Sequence, residues 1–457
     1  MSKSKSNVDR NEILEKLAES FIYGNLGLFI GAGMSMDIMN DEWDTKALSW
    51  KELINTCAKN FEIDLKSEIK TEGLSYPDIA SSLAKIIAEN EDITYSAAVK
   101  RLKQNIADLT SWYPNKENRE DYSKILNKIN PNWIITTNYD SIIECLLPDR
   151  SISLSPNDQL ISPKEIVPIY HLHGVRSNPD SIIITQEDYI SLFRPNQYRQ
   201  QKLALTIKES TTLIIGYGLG DVNVLTALDW TKNVYREQRI TYPQDVIQLI
   251  KTEIPEFNGY KDHNGITILE FNDLKTILKE IIDFLEIKLE EHNKDQEEIE
   301  KIYQEIKSPD EDLVKKFIDD KTYRTNLIKQ ISENNIQLIS GFMELFSKSM
   351  EKTWERAQPK NAFFAYDQNL KIHIDILSQI GLEHMPPILL EAIVYQLSRI
   401  SYFIGDKLGE SKAAYKTWNK HNQDIPLETR NEILNICKAN NYSFLPSLIR
   451  KSIKKKK

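Results

Sequence analysis

Four short stretches, each directly after an apolar run, hold the residues of this chain whose types and spacing could do chemistry. The first is GAGMS, residues 31–35, which follows the apolar run LFI, residues 28–30. Glycines let the backbone approach a phosphate where a side chain would collide, while N–H groups and the Ser35 hydroxyl meet its charge. Because the full glycine fingerprint of dinucleotide sites is missing, a tight turn without a ligand explains this stretch equally well.

The second stretch is TTNYD, residues 136–140, which follows the apolar run WII. In doubly wound sheets, ligands bind at the carboxyl ends of the parallel strands, where this stretch would lie. Asp140 is expected first of all to cap the next helix. That leaves Asn138 as the candidate ligand-binding residue, since its amide can donate to a ribose hydroxyl and accept from a water.

The third stretch is HLHG, residues 171–174, at the end of another apolar run. Strand alternation would put His171 and His173 on one face. A metal site is disfavoured, because no cysteine and no acidic cluster stands beside them. Gly174 lets a ligand or another backbone come close to His173, which favours a general base over a purely structural histidine.

The fourth stretch is GYGLGDVN, residues 216–223, after the apolar run LII. It is a second glycine-rich turn from a strand into a helix. One such turn could serve packing alone, but two in one sheet, each opening a helix, fit a dinucleotide that lies across the strand ends. Asp221 is expected to cap the helix that follows.

The elements that must position these stretches alternate along the first part of the chain. Apolar runs bounded by Gly, Asn or Pro predict buried parallel strands at 26–33, 132–138, 166–174, 181–185, 211–218, 245–250 and 265–271. Helical patterns separate them, at 50–60, 77–90, 97–109, 119–129, 140–147, 196–208 and 221–236. The alternation predicts an α/β domain with a Rossmann-like, doubly wound parallel sheet, over residues 1–285.

Only helical patterns follow Phe271, so residues 286–457 are predicted to form an all-α domain. They lie at 312–318, 326–356, 369–380, 387–404, 412–419 and 428–439. The polar segment 290–301 is expected to be either a hinge or a solvated extension of a helix. The basic end, residues 450–457, is expected to be a solvated tail.

Composition narrows the classes of protein that the chain could represent. Hydrophobic residues make up 40% and charged residues 27%, a globular mixture, and the net charge of −9 makes direct binding of nucleic acid unlikely on electrostatic grounds. The three scattered cysteines, Cys57, Cys145 and Cys437, exclude a disulfide framework and a four-cysteine zinc module. No secretory leader and no apolar run of about 18 residues is present, which predicts a cytoplasmic protein without a membrane partner.

Taken together and in this order, the four motifs resemble the sirtuin-like family over roughly residues 20–285. The resemblance implies NAD as the ligand and no metal. It also implies that Asn138 orients the nicotinamide ribose and a water, and that His173 is the general base. Residues 36–48 would form a flexible loop over the cofactor. Further NAD-binding residues would be Gly31, Ala32, Gly33, Ser35, Asp140, Gly216, Tyr217 and Asp221.

One departure from the family changes the implied function. Protein-deacylating sirtuins carry paired C-x-x-C motifs, and this sequence contains none. It therefore resembles the zinc-less bacterial NAD hydrolases of anti-phage defence. That resemblance implies an abortive-infection effector that releases nicotinamide and ADP-ribose once a signal activates it. Its helical domain would form a homo-oligomer, a complex with a co-encoded defence protein, or both.

Two other functions stay open at this point. A zinc-less protein deacylase or ADP-ribosyltransferase would transfer to an acceptor instead of water. A non-catalytic sensor of NAD or ADP-ribose would keep the glycine turns without needing His173.

Overall fold

The chain folds into two compact units, residues Met1–His292 and Asn293–Lys457. The computed structural model describes residues 6–39, 46–69, 72–161, 164–192, 198–217, 245–263, 265–332, 336–358 and 363–454. The boundary predicted after residue 285 falls inside one long helix, Leu274–Ile306. The polar segment 290–301 is thus a helix extension, because the helix runs through it without a break.

A single sheet of nine strands dominates the described part of the first unit. The strands are β1 Ser6–Val8, β2 Leu26–Ile30, β3 Trp133–Thr136, β4 Ser151–Leu154, β5 Val167–His171, β6 Thr211–Ile215, β7 Val246–Lys251, β8 Gly259–Lys261 and β9 Thr267–Phe271. Their order is β1-β8-β9-β7-β6-β2-β3-β5-β4. The seven from β9 to β4 are parallel, β8 pairs antiparallel with β9, and the edge strand β1 pairs antiparallel with β8.

The sheet is doubly wound about its central strand. From β2 the chain places β3 on one side and later β6 on the other, so its direction of growth switches between β2 and β6. In open α/β sheets a ligand crevice lies at this switch point. The predicted fold class is confirmed, and it puts the candidate site between the ends of β2 and β6.

Uniform apolar runs form the central strands because both sheet faces are covered. Every residue of β2 and β6 is buried. Alternate side chains enter different cores: Leu28 belongs to one hydrophobic cluster and Phe29 to another. The parallel register brings Ile30 beside Thr136 and Ile215, so neighbouring strands end level with one another.

Eleven described helices begin in the first unit, and the last of them continues into the second. They are α1 Arg10–Ile22, α2 Ala32–Met39, α3 Trp50–Asn60, α4 Leu65–Glu68, α5 Tyr76–Asn90, α6 Tyr95–Leu109, α7 Lys116–Ile129, α8 Ile142–Leu146, α9 Gln186–Leu192, α10 Tyr198–Lys208 and α11 Leu274–Ile306. Between β2 and β3, helices α3 to α6 bury a core of their own, which includes Leu53, Leu83 and Leu102. We call α3–α6 the helical insertion.

The prediction of a strand at 181–185 is wrong. Pro179–Ser181 form one 3-10 turn, and the residues after it are irregular. Ile182 and Ile184 instead bury their side chains in the core of the helical insertion. A short apolar run indicates only that its side chains are buried, and here the helical insertion buries them instead of the sheet.

The described part of the second unit contains helices and no strand, so the predicted all-α architecture is confirmed. Its helices are α12 Glu311–Asp319, α13 Lys321–Ser332, α14 Ile339–Ala357, α15 Phe364–Gln379, α16 Pro387–Ser401, α17 Lys412–His421, α18 Leu427–Ala439 and α19 Phe444–Lys454. The helix predicted at 326–356 is two helices, α13 and α14. The first part of the predicted basic tail belongs to α19.

A buried arginine ties three helices of the second unit together. Arg324 donates to the Asp375 carboxylate at 2.7 and 2.9 Å. It also donates to the main-chain oxygens of Phe317 and Ile318 at 2.7 and 2.9 Å, near the end of α12. Its charge is therefore paired inside the core, as a buried guanidinium requires. None of the helices described in either unit combines the length and apolarity that a bilayer crossing demands.

Candidate active site

The two glycine turns pack directly against each other at the switch point of the sheet. The N–H of Gly31 donates to Ile215 O at 2.9 Å, and that of Gly33 donates to Gly216 O at 2.8 Å. A Cβ atom on Gly31 would lie 2.6 Å from Gly216 O, and one on Gly216 would lie 2.1 Å from the Met34 nitrogen. These glycines are therefore required by the contact between the turns, before any ligand is considered.

A cavity of about 930 Å³ opens above these turns, within the size range of small-molecule sites. Its floor is formed by strand-end residues, Ala32, Gly33, Thr137, Asn138, Asp140, Gly216 and Tyr217. Its walls come mainly from the helical insertion and α9, with Leu48, Ser49, Trp50, Leu53, Tyr76, Pro77, Gln186 and Tyr189. Asn138 and five of the predicted NAD-binding residues thus line one space.

Asn138, Ser35 and Asp140 form a hydrogen-bonded chain at the floor. The Asn138 Nδ2 donates to Ser35 Oγ at 3.1 Å, and Ser35 Oγ donates to Asp140 Oδ2 at 3.0 Å. The other carboxylate oxygen of Asp140 accepts the Ile142 N–H at 3.0 Å, at the start of α8. The Asn138 amide offers two N–H donors and an acceptor oxygen, of which the bond to Ser35 uses one donor.

The structure places Ser141, and not the predicted Asp140, at the N-cap of α8, and the pKa of the Asp140 carboxyl is unusual for an aspartate. Its burial raises the pKa to about 6, and the hydrogen bonds from Ile142 N and Ser35 Oγ only partly oppose this. Asp140 therefore changes charge close to neutral pH, on the floor of the cavity.

Because this pKa is raised, we expect the contribution of Asp140 to the free energy of unfolding to decrease as the pH rises. Between pH of about 4 and about 6 the folded carboxyl keeps a proton that the unfolded one, with a pKa of 3.8, has lost, so rising pH disfavours the fold. Asp140→Asn removes this contribution while keeping the acceptor for Ile142. Across this pH range, we expect the unfolding free energy of the wild type to decrease relative to that of the variant by on the order of 3 kcal/mol. The conversion is about 1.4 kcal/mol per pKa unit. Urea titrations at several pH values measure this, and parallel curves for the two proteins would contradict it.

His173, the predicted base, lies one layer behind the cavity wall. Its side chain is fully buried, at 0% exposure, and it is not among the lining residues. The Trp50 ring stands edge-on to it at 6.3 Å, and the Tyr189 ring at 5.2 Å, with the Tyr189 hydroxyl 3.4 Å from Nδ1. Trp50 and Tyr189 both line the cavity, so a ligand there meets His173 only when one of them moves.

His171 belongs to a different environment, because β5 ends at this residue and the strand alternation does not extend to His173. Its Nε2 lies 2.7 Å from Glu144 Oε1, and its Nδ1 lies 3.0 Å from Asn138 O. Burial acts to lower the pKa of His171, but the hydrogen bond and charge of Glu144, the bond with Asn138 O and the charge of Asp140 together outweigh it, and the pKa is raised. For Glu144, burial acts to raise the pKa, but the hydrogen bond and charge of His171 together with further hydrogen bonds outweigh it, and the pKa is lowered. Sequence reasoning did not single out Glu144.

The remaining predicted site residues lie partly within the described structure. Tyr217 packs its ring on Phe29 at 5.2 Å, and its carbonyl accepts a hydrogen bond from Gln248 Nε2 at 2.8 Å. Asp221 and residues 40–45 of the predicted cofactor loop lie outside the described residues. Within the described ranges, no group of three or more His, Cys, Asp or Glu side chains could hold a metal ion.

Sequence comparison agrees with this fold. Residues 132–269 match the family model of the SIR2-like domain. This range of the chain includes Asn138, Asp140, His173 and Gly216 but not the turn at Gly31. Residues 132–269 are therefore similar to a SIR2-like domain, and the predicted sirtuin-like resemblance is confirmed for this part of the chain.

Curated proteins are similar to this chain at low sequence identity. The chain is 24% identical over 220 residues to NAD(+) hydrolase ThsA of Acinetobacter baumannii (strain 532279), covering 46% of this chain and 40% of the relative. It is 23% identical over 296 residues to NAD(+) hydrolase ThsA of Enterococcus faecium, covering 61% and 57%. It is 23% identical over 234 residues to Defense-associated sirtuin 2 of Bacillus subtilis, covering 50% and 21%. The matches thus span less than two thirds of each relative.

Proposed function

We propose that this chain hydrolyses NAD+ to nicotinamide and ADP-ribose. The observation that carries the proposal is the hydrogen-bonded chain Asn138–Ser35–Asp140 on the floor of a cavity at the switch point of the sheet. Two relatives named NAD(+) hydrolase support it. These similarities favour an NAD-hydrolysing enzyme of the SIR2-like kind.

The reaction breaks the bond between nicotinamide and ribose and adds one water. Nicotinamide leaves as a neutral molecule from a cationic ring, so the ribose passes through an oxocarbenium-like transition state. In the proposed roles, Asn138 orients the ribose and the water, and His173 takes the proton that the water loses, directly or through a ribose hydroxyl. Gly31, Ala32, Gly33 and Ser35 would hold the phosphates. Gly216, Tyr217 and Asp221 would lie along the adenosine.

The position of His173 supports conditional activity. The proposed base stands behind Trp50 and Tyr189, so the described arrangement corresponds to a resting enzyme. A signal that binds an open arrangement better than this one would shift the population towards activity. We propose that the helical unit receives this signal through self-assembly or a co-encoded partner. We also propose a role in defence, which the name of one relative, Defense-associated sirtuin 2, supports.

The decisive experiment measures both products. The purified full chain is incubated with NAD+, alone and with the proteins encoded beside it, and nicotinamide and ADP-ribose are separated by chromatography. We expect equal amounts of the two products without any added acceptor. Nicotinamide release that requires a protein acceptor would establish a transferase or deacylase instead. Binding of NAD+ without release under every condition would establish a sensor.

A further inference from the structure

We propose that His171 and Glu144 are positioning residues, a buried ion pair that holds the main-chain carbonyl of Asn138 and so aims the Asn138 amide at the cavity. The catalytic part of this inference rests on the proposed function. Its structural part does not.

The pair joins three chain segments at one point. His171 is the last residue of β5 and stands beside Thr136 of β3, so its ring reaches the segment that follows β3. There Nδ1 meets Asn138 O at 3.0 Å, while Nε2 meets Glu144 Oε1 of α8 at 2.7 Å. The His171 side chain is fully enclosed, and that of Glu144 is 22% exposed.

The two partners of the ring fix its protonation. A main-chain carbonyl and a carboxylate oxygen only accept hydrogen bonds, so both bonds exist together only if both ring nitrogens carry a proton. His171 is then an imidazolium paired with the Glu144 carboxylate, and Asp140 is the other nearby acid that favours this charge. A charged donor makes a hydrogen bond about twice as strong as a neutral one, so the Asn138 carbonyl is held firmly.

Asn138 needs such a constraint because it lies in neither helix nor strand. Its own N–H donates to Thr136 Oγ1 at 3.0 Å, and its side chain donates to Ser35. The bond from His171 holds the carbonyl on the other side of the same residue. With all three bonds, the peptide planes on both sides of Asn138 are set, and therefore the direction of its side chain.

A spectroscopic experiment tests the pair without using NAD+. Full-length protein with both histidine ring nitrogens labelled is compared with His171→Gln, which assigns the His171 signals. Near neutral pH we expect both His171 nitrogens to be protonated. His373 provides the internal contrast: it too meets a main-chain oxygen through Nδ1, at 2.8 Å from Asn369 O, but burial lowers its pKa to about 4 and its ring is neutral.

Samples in which every nitrogen is labelled report on Asn138. Its side-chain amide signal, assigned with Asn138→Ala, is expected to move in Glu144→Ala and to stay in place in Glu144→Gln, where the glutamine keeps the shape and a hydrogen bond to Nε2. A neutral pattern for His171, or an Asn138 signal that is unchanged in Glu144→Ala, would overturn the proposal.

Kinetics supplies the catalytic test. With NAD+ and the activating condition, Glu144→Ala is expected to lower kcat by about 10²-fold through misorientation of Asn138, with little change in KM. Glu144→Gln is expected to stay within about five-fold of the wild type, since a neutral hydrogen bond replaces a charged one. If stability falls in Glu144→Ala but kcat does not, the pair is only structural and the positioning role is refuted. If the wild type releases no nicotinamide while both spectroscopic results hold, the proposed function fails and the pair stands.

Discussion

Asn138→Ala is expected to reduce nicotinamide release by about 10²- to 10³-fold, the usual cost of removing one oriented donor from a reacting centre. In the proposed reaction the amide holds the ribose and the water in place during departure of nicotinamide. Alanine leaves Ser35 with no donor from this side and leaves the water without an orienting group. The measurement is the rate of nicotinamide formation under the activating condition, at saturating and at low NAD+.

A matched control separates chemistry from folding. Asn369, in the second unit, is a buried asparagine whose Nδ2 donates to the Thr353 hydroxyl at 2.7 Å, much as Asn138 Nδ2 donates to the Ser35 hydroxyl at 3.1 Å. Asn369→Ala therefore loses the same kind of bond at a place that does not line the cavity. We expect Asn369→Ala to be less stable than the wild type but, when folded, to form nicotinamide at the wild-type rate. Wild-type turnover in Asn138→Ala would remove Asn138 from the catalytic residues.

Gly216→Ala is expected to destabilise the first unit by several kcal/mol. Gly216 has a φ of +65°, which costs an L-residue roughly 1–2 kcal/mol, and its new Cβ would fall 2.1 Å from the Met34 nitrogen. Overpacking of this kind adds typically about 1–3 kcal/mol, because main-chain atoms must shift. Hydrogen exchange at the amides of β2 and β6 reports the stability of this unit separately from that of the helical unit.

Gly24 provides the control for backbone strain alone. Its φ is +68°, and no atom lies within 4 Å of where a Cβ would stand. Gly24→Ala thus carries the same left-handed strain without the collision. We expect a clearly smaller loss of protection than in Gly216→Ala. Equal losses in the two variants would show that the contact between the turns contributes nothing.

Whether an element could be predicted from the sequence depends on whether its own local pattern shows how it is buried. Strand β2 and the second half of β6 are apolar because both faces of the sheet are covered, so their runs and the doubly wound class could be predicted. The run at 181–185 has the same appearance, yet Ile182 and Ile184 are buried by helices distant in sequence, and no local pattern records that. Three helices of the insertion, α3, α5 and α6, could be predicted one by one, but α4 and the shared core could not.

The candidate site divides in the same way. Its floor residues follow strand ends, and parallel strands bring their ends together, so Asn138 and Gly216 could be predicted to meet. Glu144 reaches the site only through His171, and this requires the pairing of β3 with β5. The cover over His173 combines Trp50 and Tyr189, which are far apart in the chain and follow no spacing rule.

The interlocked glycine turns also limit how this site can evolve. The atoms that oppose a side chain on Gly216 belong to the main chain of Gly33 and Met34, so no replacement at those positions makes room for it. A compensating second mutation is thus not available, and a change in one turn requires the two central strands to slide. The helical insertion, with a core of its own, carries no such restriction. New ligand preferences should therefore arise in its wall residues, such as Trp50 and Tyr76, and a mutant library for altered selectivity belongs there while the floor is left unchanged.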